Sequence, residues 1–173
     1  QAWMEHVHEV SNIAGFIGGS GRYPLTGTGK INLYSAFAEL DRALMGQRGR
    51  AGVIVPTGIA TDDSNKAFFA DLVEKGQLAA LLDFENREGL FPAVDSRMKF
   101  SILALRGRGA GSNAPAKLAF FATDPAQLKD PERVFNLTPQ DFALLNPNTR
   151  TCPVFRTRAD AELTRAIYRR ELQ

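Results

Sequence analysis

The sequence predicts an α/β fold built on an incomplete sheet, and three observations lead there. AGVIVP (51–56), LAALLDF (78–84) and KFSILAL (99–105) are short apolar runs of the kind that form strands. Amphipathic stretches of helical spacing stand before and after the first of them. The resulting order of helix, strand, helix, strand, strand supplies only about half of the βα units that a doubly wound domain needs.

In chain order, residues 1–14 place Trp3, Val7, Val10 and Ala14 at helical spacing. GFIGGSGRYPLTGTGK (15–30) is rich in Gly, Ser, Thr and Pro and reads as a loop, long enough to be functional or mobile. A helix follows, with Leu33, Phe37, Leu40 and Leu44 on one stripe and Asn32 as its cap; MGQRGR ends it. AGVIVP is unbroken enough for a strand buried on both faces, as in a parallel sheet. After TGIATDD a second helix is predicted near 64–75, opening at Ser64, burying Phe68, Phe69, Leu72 and Val73, and stopped by Gly76. ENREGLFPAVDSRM (85–98) joins the next two strands, and RGRGAGSNAPA (106–116) is a connector leading to a further strand, KLAFFAT (117–123). The turn-rich remainder carries short helices at about 125–129, about 139–145 after Pro139, and about 157–169.

Composition narrows the function classes. With 173 residues, 44% apolar and 23% charged, the chain has the make-up of a soluble globular domain with a real core. No apolar stretch is long enough to cross a bilayer, and QAWMEHVHEV lacks the basic-then-apolar order of a signal peptide. The first residue is Gln rather than Met, which leads us to expect an excerpt of a longer protein. A net charge of +2 is too small to mark a nucleic-acid binder. Arg106 and Arg108 flank a glycine, and Arg165, Arg169 and Arg170 crowd the end, but a charge run is usually a solvated face. One cysteine, Cys152, excludes an internal disulfide and a cysteine zinc cage, and makes a reducing, cytoplasmic setting the default expectation.

Several familiar motifs fail. The glycine-rich loop is no P-loop, because Gly29-Lys30 is followed by Ile31 and the position five before Gly29 is Pro24; GxGxxG fails as well, since Pro24 follows Gly19 and Gly21. His6 and His8, two residues apart, point to different faces of a helix, so no metal site is expected. Cys152, between Thr151 and Pro153, has no activating context for a nucleophile. Asp83 and Glu85 share one strand face and could form a carboxylate pair, although strand-end acids more often serve as caps or ion-pair partners.

Three segments together resemble the gamma-group amino-methyltransferases that methylate adenine N6 in DNA. GKINLYSAF (29–37) is similar to that family's Asn-Leu-Tyr-x-x-Phe helix opening. GRAGVIVPTGIATDDSNKAFFADLVEKG (49–76) looks like its strand ending in Val-Pro with the helix that follows. LLDFENREGLFPAVDSRMKFSILAL (81–105) resembles its β-hairpin, in which a Phe-Pro turn precedes a Lys and a strand. The tail NPNTRTCPVFRTRADAELTRAIYRR (146–170) resembles that of the large restriction-modification and phage-defence enzymes, where it leads toward a target-recognition region.

The resemblance implies a partial Rossmann-like sheet of the class I S-adenosylmethionine-dependent methyltransferase type, with a terminal antiparallel hairpin and a helical, irregular tail. Residues 1–123 would be the carboxy-terminal half of the catalytic domain and 124–173 the extension. It implies S-adenosylmethionine as cofactor and double-stranded DNA as partner. Phe37 would border the cofactor's adenine, Phe91 would contact the extruded target adenine, and Lys99 would approach the DNA or the base pocket. Such an aromatic at a loop tip suits an enzyme that must hold an unstacked base.

The family's Phe-x-Gly-x-Gly cofactor loop and its catalytic Asn/Asp-Pro-Pro-aromatic are absent; Asn146-Pro147-Asn148-Thr149 lacks the second Pro and the aromatic and reads as a turn. The catalytic motif is therefore expected upstream of Gln1, with the piece inactive alone and able to form a homodimer. Two other classes stay open. One is a non-catalytic DNA-binding or scaffold module of the same shape; the other is a methyltransferase acting on RNA or on protein glutamine.

Overall fold

The computed structural model describes residues 2–111 and 113–171; Ser112, inside the connector expected at 106–116, lies outside the described residues. Among these, six α-helices accompany one five-stranded mixed sheet. The helices are α1 (Ala2–Gly19), α2 (Leu33–Leu44), α3 (Gly58–Thr61), α4 (Lys66–Glu74), α5 (Pro139–Leu145) and α6 (Arg158–Glu171). The strands are β1 (Arg50–Pro56), β2 (Leu78–Glu85), β3 (Lys99–Arg106), β4 (Ala116–Ala122) and β5 (Phe135–Leu137), in the spatial order β1-β3-β2-β4-β5. No described helix is long and apolar enough to cross a membrane.

The directions of the strands decide where a site can form. β3 is antiparallel to both β1 and β2, so β1 and β2 run the same way, and β4 is parallel to β2. The carboxyl ends of these three strands lie along one edge beside the first residue of β3, with Phe100 opposite both Pro56 and Phe84. Open α/β sheets bind ligands at this edge.

β1 is not buried on both faces. It pairs only with β3, its other edge carries no strand among the described residues, and Ile54 is 59% exposed. The apolar run is real, but the neighbour it finds comes from the hairpin and runs antiparallel. One sheet face is well covered: Val55, Leu81, Leu103 and Leu118 pack against Phe68, Phe69 and Leu72 of α4 in the main core.

α4 buries the four residues expected of it and stops at Gly76, whose φ of 63° closes the helix through Gly76 N–H to Val73 O and Gln77 N–H to Leu72 O. α2 turns the other way from expectation. Leu33, Phe37 and Leu44 are exposed, while Ser35, Ala36, Ala38 and Glu39 face inward. Each inward polar group has a partner: Ser35 donates to Asn65, and Glu39 accepts from the N–H groups of Leu25 and Thr26 and the Thr26 hydroxyl. Asn32 precedes the helix without a side-chain cap bond.

α1 continues five residues past the predicted end, through Gly15, Gly18 and Gly19. The segment after it is tied down rather than loose, because Glu39 holds residues 25 and 26, and Gly27 lies so close to the Ile17 carbonyl that a Cβ there would stand 2.7 Å from it. β5, three residues long, was too short to show a period and is placed by pairing with β4.

Candidate functional site

At the carboxyl edge of the sheet a polar cluster gathers around Asp83, near the end of β2. Asp83 is 2% exposed. Its Oδ1 accepts from the Thr57 hydroxyl, just after β1, and from the Ser101 hydroxyl of β3 at 3.3 Å. Its Oδ2 accepts from the backbone N–H of Phe121 on β4 at 3.2 Å. One carboxylate thus joins four strands' ends or neighbours. Burial pushes the Asp83 carboxyl up, against the lowering effect of the Thr57 hydroxyl, the Phe121 N–H, the Ser101 hydroxyl and the Lys99 charge.

Phe121 owes its position to a bulge. Leu82 is opposite Ala119 and Phe84 opposite Ala122, so three residues of β4 advance against two of β2. Phe121 takes up the extra length at φ 57°, a left-handed conformation that a bulky residue adopts only when its surroundings impose it. The bulge lets both Phe120 and Phe121 line the same cavity. That cavity, of about 360 Å³, is walled by Pro56, Thr57, Gly58, Thr61, Asp83, Lys99 and Val154 together with the two rings.

Two cations stand over the Phe121 ring: Lys99 Nζ at 5.2 Å from its centre and the Arg156 guanidinium carbon at 4.8 Å. Lys99 also pairs with Glu85 at 3.1 Å, and Arg87 pairs with Glu85 at 2.6 Å. Glu85 is held below the usual carboxylate range, since Lys99 and Arg87 outweigh the opposing effect of burial. Asp83 and Glu85 therefore act separately, one as a buried acceptor and the other as an ion-pair partner.

Phe91 sits in the 86–98 loop at the same edge. Asn86, fully buried, organises that loop: its Nδ2 donates to the carbonyls of Phe91 at 3.0 Å and Val94 at 2.9 Å, and its Oδ1 accepts the Phe91 N–H at 2.9 Å. The Phe91 ring, 40% exposed, meets Phe100 edge-on at 5.0 Å, and Phe100 stacks on Phe84 at 5.4 Å. Phe100 and Lys99 are consecutive in a strand, so their side chains leave opposite faces. The structure brings Lys99 to the Asp83 cluster and leaves Phe91 on the other face of the hairpin. Phe37, on α2, is 61% exposed and belongs to neither group.

Sequence reasoning passed over Thr57, Ser101, Phe121 and Arg156. Thr57 follows the strand-ending Val-Pro, and that alone could have drawn attention to it. A bulge at Phe121 leaves no trace in a strand composition such as KLAFFAT. The arginines near the end divide by partner: Arg165 and Arg169 bind Asp141, at 3.3 and 3.0 Å, and Arg158 reaches Glu132 and Glu162, whereas Arg156 makes no ion pair with a carboxylate among the described residues. Arg106 donates to the Leu78 carbonyl at 2.6 Å and to that of Pro115.

His6 and His8 are exposed on α1, and no group of three or more His, Cys, Asp or Glu able to hold a metal ion occurs among the described residues. Cys152 is fully enclosed and its thiol is pushed far up by burial.

No family description matches the sequence, and none of the curated proteins matches it. Among solved structures there is a weak likeness to the type IIG restriction endonuclease BpuSI, with a TM-score of 0.45 and 19% sequence identity over 88% of this chain. The chain spans 17% of that enzyme's length.

Proposed function

We propose that this chain is the carboxy-terminal part of the catalytic domain of an S-adenosylmethionine-dependent DNA adenine-N6 methyltransferase of the restriction-modification or phage-defence kind, cytoplasmic in setting. The observation that carries the reading is the insertion of antiparallel β3 between the parallel strands β1 and β2, with the Phe91 loop at their carboxyl edge. This mixed sheet is compatible with the partial Rossmann-like sheet that the sequence resemblance implies, although the β2–β3 hairpin expected at its end lies inside it, because β4 and β5 extend the sheet beyond β2. In this reading the chain supplies walls rather than the reacting groups, and the catalytic Asn/Asp-Pro-Pro-aromatic comes from elsewhere in the parent protein.

Phe91 fits the task of holding a base. Its ring is accessible, and its backbone is pinned at both N–H and C=O by one buried Asn86 side chain, so the platform is rigid before a base arrives. Stacking on such a ring contributes about 1–3 kcal/mol per base. Phe37 suits one wall of a cofactor site, because an exposed ring on α2 is not committed to the core. S-adenosylmethionine would supply the methyl group.

The test is methyl transfer by the parent protein carrying this chain, with labelled S-adenosylmethionine and mixed-sequence duplex DNA, followed by nucleoside analysis. Label in N6-methyladenine, lost in Phe91→Ala with folding intact, is the expected result. Cofactor binding without label in DNA would turn the reading toward RNA or protein substrates. Absence of cofactor binding would leave a scaffold module.

A further inference from the structure

We propose that Arg156 and Lys99 form a phosphodiester-binding site at the mouth of the cavity over Asp83, distinct from the Phe91 platform, and that the strand of DNA bound by this protein rests a backbone phosphate there. The proposal deepens the reading above and rests on it for the identity of the nucleic acid.

The charge balance is the first ground. Lys99 and Arg87 share one rim carboxylate, Glu85, while Arg156 stands beside Lys99 over the Phe121 ring. Asp83 also feels the Lys99 charge from below, but it is buried at the base of the cluster and bonded to Thr57, Ser101 and Phe121, so three cations stand against two carboxylates. Two like charges on one ring repel each other unless an anion joins them. Arg156 is the one of the three with no carboxylate partner among the described residues.

Preorganisation is the second ground. The ring that gathers the cations is held at a left-handed φ by a bulge and by the Asp83 bond, a strained arrangement of the kind found beside binding sites. A guanidinium packed on an aromatic face keeps its donors free and pointing outward, which suits a phosphate. Third, the cavity opens at the carboxyl ends of three parallel strands, where sheets of this kind receive ligands. The Phe91 ring lies on the opposite face of the β2–β3 hairpin, so one strand bent around this edge would meet an aromatic on one side and two cations on the other.

The experiment is fluorescence anisotropy of the chain with a labelled adenine-containing duplex oligonucleotide across a salt series. Arg156 is exposed, so Arg156→Gln is expected to fold; it should weaken binding about five- to tenfold at low salt and lower the slope of log affinity against log salt by about one. Lys99→Met should act in the same direction, while Phe91→Ala should weaken binding with the slope unchanged. Added inorganic phosphate should compete with the wild type and not with Arg156→Gln. Binding that persists with an unaltered slope in Arg156→Gln overturns the phosphate site and leaves the Phe91 reading standing. A slope that falls in Arg156→Gln while Phe91→Ala has no effect supports the phosphate site and overturns the Phe91 platform. A wild-type chain that binds no oligonucleotide at low salt overturns both.

Discussion

Asp83 on β2 accepts the backbone N–H of Phe121 on β4 at 3.2 Å, and this bond crosses the bulge between the two parallel strands. It fixes a residue whose φ of 57° costs about 1–2 kcal/mol for an L-amino acid with a large side chain. The carboxylate that makes the bond is itself buried, so the edge of the sheet combines strain with a desolvated acid.

Replacing Asp83 with Ala would leave the Thr57 and Ser101 hydroxyls and the Phe121 N–H without their acceptor. A loss of about 1–3 kcal/mol in urea denaturation is expected, with faster hydrogen exchange at Phe121. Because burial raises the Asp83 carboxyl above its usual value of 3.8, the group favours the folded state when protonated and loses that contribution as pH rises from the usual value through the raised one. The gap between wild type and Asp83→Ala should therefore be larger on the acid side of that window than at neutral pH. A gap that grows with pH would contradict this assignment.

Asp141 should show the opposite sign. Burial alone would raise its carboxyl, but the Thr138 N–H and hydroxyl and the Arg165 guanidinium outweigh it and hold it below 3.8. Its contribution is present above the usual carboxylate value and is lost as pH falls through the depressed one. Asp141→Ala removes the capping-box acceptor of α5 and the charge that docks Arg165 and Arg169 of α6. A loss of about 1–2 kcal/mol at pH 7, shrinking at acid pH, is expected from denaturation curves.

Asn86→Ala should act locally on the Phe91 loop. Two carbonyls lose their donor and the Phe91 N–H its acceptor, so residues 86–98 should exchange amide hydrogens at least tenfold faster, on the order of 1.4 kcal/mol or more of local stability. Unchanged exchange there would show that the Phe91–Phe100 ring contact holds the loop by itself.

Phe37→Ala should be nearly neutral for the stability of the chain, within about 0.5 kcal/mol, because the ring is mostly in solvent. Phe68→Ala, at 0% exposure, should cost about 3–5 kcal/mol. Thermal denaturation of the two variants side by side separates a ring available for a ligand from one spent on the core; equal losses would return Phe37 to the core.

Much of the local structure follows from the sequence by itself. α4 with its four buried residues and its Gly76 stop, the strands 78–85 and 99–106, and the helix opening at Pro139 all arise from short-range patterns of burial, capping and φ preference. Tertiary structure decided what those patterns leave open. α2 presents Ser35, Ala36, Ala38 and Glu39 to the interior because distant partners, Asn65 and the 25–26 backbone, satisfy the polar groups, and hydrophobic periodicity cannot register a partner thirty residues away. β1 became an edge strand because β3 takes its one paired side. Phe121 and Arg156, thirty-five positions apart, meet at one ring only because a bulge in β4 and the returning tail place them there, and no local composition encodes such a meeting.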